Sequence, residues 1–197
     1  DQAGVLATQE LLSRVSGLTA SDTVVVLLSG GGSALLVSPA AGISLEDWNA
    51  INLQLLHCGA TIHEINLVRK HLSTVNGGRL AAACGEATVI GLVLSDVPGD
   101  DLSAVASGPL SGDDSSRADA LKLLNHYHLS LPASVLSHLR SSEQLPLNKN
   151  DPRVKRVYLK LIGSASLSLN AAASEATRLG LTPWVLSDAL TGEAREL

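Results

Sequence analysis

Apolar and polar positions along the chain follow two alternating rhythms, and those rhythms predict its elements. Residues 3–16 carry the spacing of a helix. "TVVVLLS", from Thr23 to Ser29, is instead an unbroken run of β-branched and leucine side chains, the mark of a strand buried on both faces. "SLED" (Ser44 to Asp47) and "TIHE" (Thr61 to Glu64) read as capping boxes that open helices near 45–58 and 62–75. Gly59 stops the first, so the two form a hairpin. A short helix from Arg79 to Cys84 precedes a second apolar run, "ATVIGLVLS", from Ala87 to Ser95. From Asp96 to Ser116 the chain turns to Asp, Gly, Pro and Ser, and loops of that length inside a domain are functional or disordered. Helices near 117–126 and 133–141 follow, then the polar connection "SSEQLPLNKNDPR". A third strand, "RVYLKLIG", ends at Gly163; a small-residue helix closes at Gly180; a fourth strand, "TPWVLS", ends at Ser187. This alternation of helix and strand predicts an α/β layer architecture with a mostly parallel sheet.

Composition narrows the function classes. At 197 residues and 45% hydrophobic content, the chain suffices for one sizeable core, or for one domain and part of another. A net charge of −5 with scattered basic residues offers no stripe that could neutralise a nucleic-acid backbone. No apolar run approaches the roughly 18 residues of a membrane span, and "DQAGVLATQE" has neither the basic nor the apolar region of a signal peptide. Cys58 and Cys84 lie in helix-like apolar segments and read as buried thiols, in keeping with a reducing, cytoplasmic location. The chain contains no Met, and its last stretch, "SDALTGEAREL", looks like a helix beginning; both features suggest a fragment.

In open α/β sheets, ligands sit beyond the carboxyl ends of the strands. Each predicted strand here ends in small, hydroxyl or carboxylate residues: Ser29-Gly30-Gly31-Gly32-Ser33, then Ser95-Asp96, then Gly163-Ser164, then Ser187-Asp188. The glycine turn suits an anion, because glycine permits positive φ and lets a ligand approach the amides. The same turn could serve only close packing; it lacks the spacing of a Walker A loop and of a dinucleotide fingerprint. "LVRKHLSTVNGGRL" supplies the cations Arg69, Lys70 and Arg79, with Asn76-Gly77-Gly78 between. On pattern alone Arg69 and Lys70 read first as a solvated face, whereas the Gly-Gly-Arg restart makes a helix N-terminus suited to a carboxylate or phosphate. "LSDVPGDD" offers Asp96, Asp100 and Asp101 as oxygen ligands for Mg²⁺, or as turn and cap residues. "ASGPL", from Ala106, could close over a ligand or be ordinary turn chemistry. The six histidines do not show metal-ligand spacing, and Ser33 lacks the context of a nucleophilic serine.

Together "LLSGGGSALL", "GATIHEINLVRKHLSTVNGGRLA", "LSDVPGDDLSAVASGP" and "VLSDALTGEARE" resemble the class II glycerate kinases, the MOFRL-associated family, some of whose members are labelled hydroxypyruvate reductases. The resemblance runs from about Val5 to the end of the chain. It implies a three-layer α/β/α Rossmann-like fold and ATP-dependent phosphorylation of D-glycerate to 2-phosphoglycerate with Mg²⁺. It also implies that residues 1–197 are the central part of a large amino-terminal domain, with the MOFRL domain absent from this chain and the fragment alone inactive. The expected partners are thus a small-molecule substrate and a nucleotide, with neither nucleic acid nor membrane; a homo-oligomer is compatible with this reading. Residues and resemblance together give Ser29, Gly30, Gly31, Gly32 and Ser33 as holding a phosphate or the glycerate carboxylate, with Arg69, Lys70 and Arg79 adding positive charge. Asp96 and Asp100 would hold Mg²⁺ or orient a hydroxyl, and Asp188 and Glu193 would contact the ligand. The alternatives are a hydroxypyruvate reductase, against which the missing dinucleotide fingerprint argues, and a non-catalytic ligand-binding homologue.

Overall fold

In the computed structural model, which describes residues 1–141 and 146–190, three parallel strands stand side by side in chain order. They are β1 (Thr23–Leu28), β2 (Thr88–Leu94) and β3 (Tyr158–Gly163), with Val26 opposite Gly91 and Gly91 opposite Leu159. Parallel pairing requires helical crossovers, and the chain supplies them. α1 (Gln2–Arg14) is capped by the Asp1 side chain and leads into β1. Between β1 and β2 come α2 (Gly32–Leu35), α3 (Leu45–His57), α4 (Ile62–Leu72) and α5 (Arg79–Ala83). Between β2 and β3 come α6 (Arg117–His126), α7 (Ala133–Arg140) and α8 (Pro152–Lys155), and α9 (Ala165–Arg178) follows β3.

Two apolar clusters hold these elements. Val15, Leu80, Cys84, Val89 and Leu110, flanked by Val24, Val26 and Leu28, join α1 and α5 to one face of the sheet. Trp48, Ile51, Leu55, Val68, Leu72, Leu124 and Leu139 form a second core among α3, α4, α6 and α7. Burying a side chain of this size stabilises the fold by about 1.5–3 kcal/mol relative to leaving it exposed. α4 turns Ile65, Val68 and Leu72 into the helical core while also burying Asn66 and Lys70, so it joins that core to the loop after β2. Its cap is reciprocal: Thr61 Oγ1 accepts from the Glu64 amide, and Glu64 Oε2 accepts from the Thr61 amide at 2.8 Å. Ser44 accepts from the Asp47 amide, and Ser116 forms a full capping box with Asp119 that the sequence reading did not single out.

The structure changes expectations about strand burial, the fourth strand and the length of one helix. The strands are not buried on both faces: alternate residues of β1 and β3 are exposed, including Val25, Leu27, Tyr158 and Ile162. Helices α1 and α5 both pack on the covered face through Val15, Leu80 and Cys84. The fourth strand is absent, and residues 181–187 run as exposed irregular chain with Trp184 at 84% exposure. Pro183 removes a ladder donor there, and α9 has no buried residue to press the segment against β3. The helix expected to reach residue 75 ends at Leu72, where Ser73 turns extended and bridges to Pro39. Both cysteines are free, Cys84 buried and Cys58 half-buried. Among the described residues, no helix is long and apolar enough to cross a membrane.

Candidate functional site

The glycine turn lies at the carboxyl end of β1, as the apolar run before it requires. Gly31 takes φ 79° as the cap of α2, a left-handed backbone that side chains rarely adopt, and α2 begins at Gly32. Asp96, two residues beyond β2, lies against this turn. A Cβ on Gly30 would fall 2.0 Å from Asp96 Oδ2, so only glycine lets the carboxylate rest on the backbone. A Cβ on Gly32 would likewise fall 2.7 Å from Ala106 Cβ.

Ala106 belongs to a loop held in an uncommon conformation. Ala106, Ser107 and Gly108 all have positive φ, of 51°, 60° and 63°. Left-handed geometry costs a side-chain-bearing residue roughly 1–2 kcal/mol, so surrounding contacts must hold it. Buried Asn66 on α4 donates from Nδ2 to Ala104 O and accepts at Oδ1 from Ser107 Oγ at 2.8 Å. Buried Asn76 donates to Ala106 O at 2.9 Å. Ser107 Oγ stands 2.9 Å from Ser33 Oγ, tying this loop to the glycine turn.

The predicted cations are engaged by the scaffold. Lys70 Nζ forms a buried ion pair with Asp113 Oδ2 at 2.8 Å. Burial raises the Asp113 carboxyl, yet the bonds from Lys70 and Ser115 outweigh it and hold the group at about 2. Arg69 Nε donates to Asn52 Oδ1 on α3 at 2.6 Å, and burial lowers its pKa. Arg79 Nη1 turns back to the carbonyls of Lys70 and Asn76, at 2.6 and 3.1 Å, closing the end of α4. Burial, with the charge of Arg117 second, lowers its pKa to about 10. The Gly77-Gly78 turn beside it is filled by protein: added Cβ atoms would meet Pro146 at 2.9 Å and Val154 at 2.8 Å. Those glycines serve close packing. The helix they open, α5, spans five residues.

The remaining candidates divide. Ser29 is exposed and its carbonyl accepts from the Gly32 amide. Asp100 sits in the short helical turn Pro98–Asp100 with φ 53°, and Asp101 caps the chain at Ser103. For Asp101, burial raises the carboxyl, but the Ser103 bonds and the Lys70 charge leave it below the ordinary value. Among the described residues, no group of three or more His, Cys, Asp or Glu side chains could hold a metal. Asp188 accepts from Ser166 Oγ at the start of α9, beyond the carboxyl end of β3. Glu193 lies outside the described residues. Asn66, Ser107 and Asp113 escaped the sequence reading as individuals. The available signal was the pair Asn66 and Lys70, one turn apart on a helix whose other buried residues are mostly apolar.

Residues 1–140 match a family described as a domain of unknown function, DUF4147. The chain belongs to this family. Over its whole length it is 43% identical to a putative hydroxypyruvate reductase from Agrobacterium vitis and 42% identical to a glycerate 2-kinase from Pyrococcus horikoshii, covering 44% and 45% of those proteins. A crystal structure of a glycerate kinase from Thermotoga maritima superimposes with a TM-score of 0.80 at 42% identity, over 91% of this chain and 42% of that one. The chain therefore spans about half the length of the relatives it matches. The resemblance read from the motifs and the α/β class with its parallel sheet both hold in these comparisons.

Proposed function

We propose that the chain forms part of an enzyme that transfers the γ-phosphoryl group of ATP to D-glycerate, giving 2-phosphoglycerate. The observation that carries this reading is the Asp96 carboxylate seated on Gly30, in a turn that is exposed at Gly30 and Gly31. Phosphoryl transfer asks a protein mainly to position reactants and offset charge, and these parts suit both tasks. The amides of Gly30 and Gly31 receive a phosphate or the substrate carboxylate, while the Gly32 amide is held by the Ser29 carbonyl. Exposed Asp96 fits Mg²⁺, which needs only one or two carboxylates because phosphate oxygens and waters complete its shell; Asp100 is the second candidate ligand. When bound, the ion offsets charge on the phosphates. Lys70, Arg69 and Arg79 act by holding the loop and helix frame, and Asp188 and Glu193 add polar contacts from the end of the chain. The names of the relatives support the substrate class.

On this reading, residues 1–197 are the central part of the large domain of a two-domain cytoplasmic enzyme whose second domain is of the MOFRL type. The free thiols fit that compartment. The test is an assay of the protein at its full encoded length with D-glycerate, ATP and Mg²⁺, with the phosphorylated carbon identified by phosphorus NMR. Formation of 2-phosphoglycerate is expected. Oxidation of NAD(P)H by hydroxypyruvate without ATP consumption would overturn the kinase reading in favour of the reductase, and glycerate binding without either turnover would leave a binding protein.

A further inference from the structure

The hydroxyl protons around Ser33 have only one consistent arrangement. Asn66 Nδ2 faces the Ala104 carbonyl, which can only accept, so the amide oxygen faces Ser107. Ser107 must then give its one proton to Asn66 Oδ1. The 2.9 Å bond between Ser107 Oγ and Ser33 Oγ therefore takes its proton from Ser33. The Ser33 proton is committed to Ser107, and the oxygen of this half-buried side chain keeps only acceptor capacity. A hydroxyl in that state cannot donate to a phosphate or carboxylate oxygen, which corrects the expectation that Ser33 holds an anion.

The glycine turn thus presents two opposite chemistries within a few residues: backbone donors at Gly30 and Gly31, and a side-chain acceptor at Ser33. A 2-hydroxy acid presents the complement, an anionic carboxylate next to a hydroxyl that can donate. We infer that Ser33 accepts a hydrogen bond from the substrate hydroxyl adjacent to the carboxylate and thereby sets the preference of the site for a 2-hydroxy acid; the inference rests on the glycerate-binding reading. Asn66 and Ser107 are positioning residues in this scheme, since they fix the direction of the Ser33 proton without reaching the ligand.

Calorimetric binding of D-glycerate and 3-hydroxypropionate, which lacks the adjacent hydroxyl, to the full encoded protein tests the inference. One neutral hydrogen bond corresponds to about tenfold in affinity, so the wild type should bind 3-hydroxypropionate about tenfold more weakly than glycerate. Ser33→Ala should weaken glycerate by a similar factor and leave 3-hydroxypropionate unchanged. Equal weakening of both ligands, or of neither, would overturn the inference while leaving the glycerate reading in place. Failure of the wild type to bind glycerate at all would overturn both. Ser107→Ala gives an independent reading even where Ser33→Ala loses its native melting transition. It frees the Ser33 proton for donation, so hydroxypyruvate, with a keto oxygen at the adjacent carbon, should gain several-fold relative to glycerate; an unchanged ratio counts against the assignment.

Discussion

At Gly30 the contest is between a methyl group and a carboxylate. Alanine there would place Cβ 2.0 Å from Asp96 Oδ2 and 2.6 Å from its Cγ, so the carboxylate must leave the turn. Asp96 is exposed and can move into solvent at small cost to stability. Gly30→Ala should therefore fold with nearly the wild-type melting temperature and lose on the order of 100-fold in kcat/KM, the scale of a reacting group displaced by about an ångström. Gly31→Ala is a different perturbation. Nothing lies within 4 Å of its added Cβ, but φ 79° strains it, so stability should fall by about 1–2 kcal/mol. Calorimetric melting and steady-state kinetics on the two variants separate the effects, and a Gly30→Ala enzyme that is destabilised yet fully active would show the turn to be packing alone.

Among the elements, α4 shows how far periodicity reaches and where it stops. Its cap, its apolar stripe and its place in a hairpin are all local features, and the sequence displays them. That Lys70 would pair with Asp113 rather than face a ligand depends on where a loop 43 residues later returns. No local rhythm encodes that return. The same holds for Asn66 and the left-handed Ala106 and Ser107: "ASGPL" looked like a candidate lid, whereas the positive φ values arise from tertiary hydrogen bonds. "TPWVLS" failed for the complementary reason, since strand propensity needs a partner ladder. α4 also carries a pH dependence. Fully buried His71 has its pKa lowered to about 4, first by burial, with the charges of Arg79 and Arg117 adding and Asp113 opposing. Below its ordinary value near 6.5 the unfolded chain takes up a proton that the folded chain refuses. Stability is thus full above about pH 6.5 and should fall by on the order of 3 kcal/mol as pH drops through about 4. His71→Gln should flatten the urea-unfolding profile in that window; His138, also lowered by burial, remains in both proteins and cancels in the comparison. Parallel profiles would assign the slope elsewhere.

For the molecule as a whole, the sheet sets both the site and a liability. Its covered face is anchored by the Leu80, Val89 and Leu110 cluster, and at the carboxyl ends of β1 and β2 Leu28 and Val93 pack with Val105 and Ala106, beside the glycine turn and Asp96. Its other face leaves Val25 at 57% and Leu27 at 74% exposure, continued across the strands by Leu94, Tyr158 and Ile162. Contiguous apolar surface beyond a few hundred Å² is uncommon on a soluble monomer, because each buried Å² of it is worth about 25 cal/mol. Residues 1–197 expressed by themselves should therefore bind a hydrophobic dye and associate as concentration rises. Leu27→Lys combined with Ile162→Lys should suppress both, since a charge on β1 and a second one beside Lys160 on β3 oppose stacking of two such faces. Sedimentation velocity across a concentration series decides the matter: an unmodified chain that stays monomeric and dye-free would mean that this face is covered by the chain's own residues.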